Sequence, residues 1–247
     1  MVIDFVHRVA ITAPITAIAF DDDHRILYTG TCGQLSAYMN IGLVDKCSSA
    51  DIPSSLNLFN TQTIHGIKLV KSKTPRVIVF GGKAVCIAIV QEMQLTERLF
   101  AQHRILIEIL MENLDDLVLD CTMINDTLLI GYAHNFIDVM VNDPQSGRLK
   151  RSYRVQCAEI SALFSLSIVD EFCAVNDGEN SKVLVASGTA FGKIILWNFS
   201  IPGSKECRKE PIVQITDILT DHEGIELHSL DRTTACEKLL IRHLNHE

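Results

Sequence analysis

The sequence has no basic excess: 22 Lys and Arg stand against 30 Asp and Glu, a formal charge of -8. A surface built to neutralise phosphates needs the opposite balance, so a stand-alone nucleic-acid binder is not expected. Aromatic residues are also few, with ten Phe, four Tyr and the single Trp197 in 247 residues, which argues against a stacking platform for single strands. Cysteine has the wrong spacing for zinc or redox chemistry. All eight (Cys32, Cys47, Cys86, Cys121, Cys157, Cys173, Cys207 and Cys236) are at least 15 positions from the next, whereas structural zinc and dithiol sites draw on closely spaced pairs. Reduced core cysteines of a cytosolic protein are the expected reading.

Long apolar runs are missing too. Val9 to Phe20 is apolar but is interrupted by Pro14 and preceded by Asp4, His7 and Arg8, and no segment reaches the roughly 18 residues needed to cross a bilayer. A soluble, cytoplasmic chain without membrane insertion is expected. With 47% apolar and 21% charged residues, there is ample material for a packed core.

What the sequence does contain is a weak internal repeat. Four segments, starting at Ile15, Ile64, Leu117 and Ile160, share one layout: an apolar strand, a polar turn, a second strand ending in Gly, a tight turn, and a third strand. The glycines are Gly30, Gly81, Gly131 and Gly188, at intervals of 51, 50 and 57. Runs rich in Ile, Val, Leu and Phe, bounded by Asp, Asn, Gly and Pro, are punctuated as strands, and the glycines are read as permitting positive φ at the reversal. This spacing suits one four-stranded sheet per repeat, with Arg151 to Gln156 a candidate fourth strand in the third. Sheets repeated radially form a β-propeller.

The fold class expected is therefore all-β, a propeller of about four blades with an incomplete ring. Residues 1–220 make the partial propeller, with blades near 15–50, 64–105, 114–156 and 160–200. Pro53 to Thr63 and Ile201 to Pro211 read as loops. Met93 to Leu119 competes as a helix, because Leu95, Leu99, Ile105, Ile109 and Leu110 also fit helical spacing. Residues 221–247 lack the blade pattern and read as an irregular or helical tail. That ending implies a fragment, a truncated product or a shifted reading frame. A half ring leaves its end sheets without a neighbour, so apolar surface and dependence on another chain are expected.

The turn before Trp197-Asn198, and Asp221-His222-Glu223-Gly224 where a blade begins, resemble WD-repeat proteins. More specific are Ile64-His65-Gly66-Ile67, Leu128 through Asn135 and Val183 through Trp197. In that order they resemble the first half of the N-terminal propeller in the WD-repeat family that partners FtsJ-like tRNA ribose methyltransferases, across roughly Ile15 to Gly224. The resemblance implies a non-catalytic adaptor. Its partner would hold S-adenosylmethionine and methylate the 2′-OH at the first anticodon position, while tRNA contact by this chain would be indirect or weak. It also implies a link to endosomal recycling. Gly30, Gly81, Gly131, Gly188, Trp197 and His222 would then be structural repeat positions, His222 in a polar network of the blade start.

The sequence holds no nucleotide loop, zinc-protease motif or nucleophile elbow. His134 and Asp138 would share a strand face about 13 Å apart, too far for a base and its orienting acid, so His134 reads as a turn residue. His65 reads as packed structure. Asp21-Asp22-Asp23 could offer oxygens to a cation but suits a solvated turn better. Lys68, Lys71, Lys73 and Arg76, beside Lys83, form the one basic cluster, a candidate tRNA phosphate contact or simply a solvated loop. A general interaction propeller in trafficking or signalling is the rival reading. A propeller hydrolase would need convergent groups that the spacing does not supply.

Overall fold

The computed structural model describes residues 13–39, 54–60, 62–93, 102–124, 126–134, 136–143, 146, 148–156, 163–173, 180–190, 193–202 and 213–220. These form four antiparallel four-stranded sheets, each made of strands consecutive in sequence. The first contains β1 (Ala17–Asp21), β2 (Ile26–Gly30), β3 (Gln34–Tyr38) and β4 (Ser54–Asn57). In the second are β5 (Gly66–Val70), β6 (Arg76–Gly81), β7 (Ala84–Met93) and β8 (Gln102–Met111). The third comprises β9 (Val118–Ile124), β10 (Thr127–Tyr132), β11 (Phe136–Asn142) and β12 (Leu149–Gln156), and the fourth β13 (Leu163–Cys173), β14 (Asn180–Thr189), β15 (Lys193–Pro202) and β16 (Val213–Thr220). The chain divides into two compact units, Met1–Leu117 and Val118–Glu247, with two sheets in each.

In the first unit, alternation along the strands decides which side chains enter the core. Ala17 and Asp21 of β1 are buried while Ile18 and Phe20 between them are exposed, the period-two pattern of a strand with one covered face. Ile26, Tyr28, Leu35 and Ala37 of the first sheet join Ile67, Val77, Val79, Cys86 and Ala88 of the second in one cluster. Leu58, Phe59 and Ile64, from the segment joining the two sheets, complete it. That segment is tied to both sheets: Ile64 N donates to Thr31 O at 3.1 Å, and His65 N donates to Phe80 O at 2.8 Å. Thr16 Oγ1 donates to Ile64 O at 2.7 Å.

The second unit packs Leu129, Ile137 and Val139 of the third sheet against Leu166, Val185, Ile195, Trp197 and Phe199 of the fourth. Asp120 of β9 adds a polar tie between these sheets. Its buried carboxylate accepts from Cys121 N at 2.8 Å and from Leu166 N at 2.5 Å. A buried carboxylate filled by two amides costs far less than an unpaired one.

Four sequence expectations need correction or resolution. The Pro53 to Thr63 loop contains β4, the outer strand of the first sheet. Only four residues long and half serine, β4 lacks an apolar run to reveal it, and it is held to β3 partly by the Ser36–Ser55 hydroxyl pair at 2.8 Å. The helix that competes within Met93 to Leu119 is absent from Gln102–Met111, which is β8 paired with β7. β15 continues to Pro202, into the stretch read as a loop from Ile201. The fourth strand of the third sheet begins at Leu149, two residues before its expected start. The tail 221–247, with His222, lies outside the described residues.

The repeat glycines act differently from the expectation. Positive φ occurs at Gly33 (77°) and Gly82 (55°), not at Gly30, Gly81 or Gly131. Those three are placed by close approach. A Cβ on Gly30 would lie 2.6 Å from Ile64 Cγ2, one on Gly81 2.0 Å from the Thr63 carbonyl oxygen, and one on Gly131 2.9 Å from Leu166 Cδ1. At Gly30 and Gly131 the crowding comes from the next sheet or the chain entering it, and at Gly81 from the chain entering its own sheet.

Candidate functional site

The basic cluster is the natural place to look for a site, and the structure divides it. Lys71 and Lys73 are exposed on the turn between β5 and β6. Lys68 is half-buried on β5, opposite Ile78. Arg76 opens β6, and its Nε and Nη2 each donate to a Glu108 carboxylate oxygen of β8 at 2.7 Å. A guanidinium held in both prongs by a carboxylate has little left for a phosphate. Lys83 sits at the other end of β6, beyond Gly81, where its Nζ donates to Asp115 O at 3.3 Å. The exposed basic feature of this region is therefore the turn of Lys71 and Lys73.

Beside that turn lies the one between β1 and β2. Asp21, Asp22 and Asp23 do not converge there. Asp21 accepts from the His24 amide at 3.1 Å and faces His24 Nδ1 at 2.9 Å, whereas Asp22 binds Arg25 Nη1 at 2.7 Å. The other ring nitrogen of His24, Nε2, lies 3.3 Å from the Lys73 carbonyl oxygen. The His24 pKa is raised, chiefly by the Asp21 hydrogen bond, with burial opposing and the Lys73 carbonyl assisting. Among the described residues, no group of three or more His, Cys, Asp or Glu is arranged to hold a metal ion.

The remaining sequence candidates separate in the same way. His134 is exposed in the turn before β11, and Asp138 is buried in that strand. Asp138 receives both prongs of Arg154, Nε at 2.7 Å and Nη2 at 2.9 Å, with Arg151 Nη1 3.6 Å away. Register explains this pair, since Asp138 and Arg154 are direct cross-strand partners. The Arg154 guanidinium also lies 4.0 Å from the centre of the Phe136 ring, a cation–π contact. His65 is exposed just before β5 rather than packed. Trp197 is fully buried.

Sequence reading missed His24, Asp120 and the Asp138–Arg154 pair. A signal existed for the last: one Asp in the apolar run Phe136–Val141, followed by an Arg-rich strand. No sequence signal exposes His24, because its second partner is a backbone carbonyl 49 residues away. Cys86 is buried in β7, and desolvation pushes its thiol up to about 12. Among the described residues, no helix is long and apolar enough to cross a membrane.

No family model and no curated protein matches the sequence. Solved structures do match the fold. One is Sqt1 of Saccharomyces cerevisiae, at 12% identity and a TM-score of 0.53, covering 87% of this chain and 51% of that one. Another is the C-terminal WD40 domain of Sif2, at 12% identity and a TM-score of 0.50, covering 79% of this chain and 48% of the other. The fold is of the WD40 propeller type. Four antiparallel four-stranded sheets of consecutive strands are the blades of that architecture. This chain spans about half the length of these matched structures.

Proposed function

We propose that the chain is a non-catalytic protein-interaction scaffold. The observation carrying this reading is the use made of three buried carboxylates among the described residues. Asp21, Asp120 and Asp138 each hold a backbone amide, a neighbouring histidine or an arginine of the fold itself. Groups committed in this way lend rigidity to a surface and have no open position for a substrate. A WD40-type fold suits the same role, although fold alone does not assign function.

The finer reading is an adaptor for an FtsJ-like tRNA ribose methyltransferase, supporting 2′-O-methylation at the first anticodon position, with S-adenosylmethionine held by the partner. It is supported by the sequence resemblance at Ile64–Ile67, Leu128–Asn135 and Val183–Trp197, and by the exposed Lys71 and Lys73 as a weak phosphate contact. The wider alternative is a trafficking or signalling propeller unrelated to RNA, in the cytoplasm or at endosomes. Affinity purification of the full chain separates the two. Specific recovery of an FtsJ-like methyltransferase supports the adaptor, and recovery of endosomal proteins without it removes that reading. Charge reversal at Lys71 and Lys73 should weaken tRNA association in a salt-dependent manner if the turn contacts phosphate. Arg76 is a poor test, because its reversal would set two carboxylates against each other at Glu108.

A further inference from the structure

His24 has an oxygen acceptor in front of each ring nitrogen: the Asp21 carboxylate at Nδ1 and the Lys73 carbonyl at Nε2. A neutral imidazole carries one N–H and one lone pair, so in this setting one nitrogen would meet an oxygen lone pair with its own. Only the imidazolium donates to both. The carboxylate is itself fixed, because Asp21 is buried and its other oxygen accepts from the His24 amide. The two acceptors belong to different sheets, the first to the β1–β2 turn and the second to the β5–β6 turn.

We propose that His24 is a proton-operated clip, which ties the β5–β6 turn of Lys71 and Lys73 to the β1–β2 turn when doubly protonated and releases it when neutral. The carboxylates nearest it agree in sign. On its own turn Asp21 and Asp23 both favour the cation, while Arg25 is taken up by Asp22. From β2, Tyr28 has its hydroxyl pKa raised by burial and by the Asp21 charge, and stays neutral. Across the gap are Lys71 and Lys73, whose ammonium groups are on exposed side chains, so the group that meets the ring is the Lys73 carbonyl. Because the folded pKa is raised, the clip is complete below the ordinary histidine value of 6.5 and is lost as pH rises through the higher folded value. The device does not depend on which partner the scaffold binds. It sets how firmly a basic turn is presented as pH moves across the physiological range.

The test combines an NMR titration of His24 in the full chain with backbone 15N order parameters of residues 71–74. His24 should titrate above 6.5, and Asp21→Asn should lower that value. The order parameters of residues 71–74 should fall between about pH 5 and about pH 8, and this fall should vanish in both His24→Asn and His24→Ala. Unchanged order parameters in the parent chain while His24 titrates would overturn the proposal. So would an equal fall in both His24 variants. The two substitutions lie on a half-exposed turn, and retention of the protein's β-sheet circular dichroism separates loss of the clip from loss of the fold.

Discussion

Trp197 Nε1 donates to Ser187 Oγ at 2.7 Å, between two side chains with no measurable solvent exposure. Register places Trp197 opposite Val185, so Ser187 is its diagonal neighbour on the adjacent strand. The indole thus fills the core of the second unit and still finds a partner for its one polar atom. Trp197→Phe removes that donor and part of the ring volume, and Trp197→Ala removes the rest. The alanine variant should lose about 3–5 kcal/mol, measured by urea denaturation. Ser187→Ala strands only the indole N–H and should cost about 1–3 kcal/mol.

Arg154 and Arg76 make similar two-pronged contacts with different carboxylates, and burial should separate their worth. Asp138 is almost wholly buried, so Arg154→Met leaves a desolvated charge with only the more distant Arg151 nearby. A loss of about 3 kcal/mol is expected, with Arg154→Lys recovering only part because it lacks the planar fork. Glu108 is exposed, and Glu108→Gln should cost less than about 1 kcal/mol. Denaturant midpoints of the three variants check the order.

The glycines offer a graded series. Gly81→Ala should be the most damaging, since its Cβ meets a backbone carbonyl that cannot swing aside. Gly30→Ala meets the β-branched Ile64, which is stiff. Gly131→Ala meets the end of the Leu166 side chain and should be mildest. Overpacking of this kind costs about 1–3 kcal/mol where neighbours can yield, and thermal midpoints should fall in that order.

Thiol labelling should follow burial. Cys32 is exposed, whereas Cys86 and Cys121 are buried. The Cys86 thiol, pushed up to about 12 by desolvation, stays protonated throughout the neutral range, so the nucleophilic thiolate is withheld. Peptide-resolved alkylation of the native chain should modify Cys32 before Cys86 and Cys121, which should react only on unfolding.

The strand content and repeat were legible because interior strands such as β6, β7 and β10 are buried over most of their length, which writes continuous apolar runs such as Val77–Phe80 and Leu128–Ile130 into the sequence. β4 was not legible: two serines and an asparagine in four residues carry no such run. β8 was ambiguous because its side chains range from buried Ile105 to exposed Ile107 and Leu110, a mixture that also fits a helix. The glycines were found for their position and misjudged for their cause, since a clash with Ile64 or Thr63 depends on a segment that the local pattern does not place. The basic cluster was visible as a list of charges, but its division depended on Glu108, which lies 32 residues from Arg76.

Pairing of the third strand with the fourth slips in three of the four sheets, at Ile87/Ala88, Val139/Met140 and Leu196/Trp197. The first sheet shows no slip there and ends instead in the four-residue β4. A bulge twists the outermost strand, and a stub offers few vacant amides. Both deny a stranger's backbone a straight template to extend, which is how outer strands rich in Ile, Leu and Val, such as β8 and β16, can resist growth into fibrils.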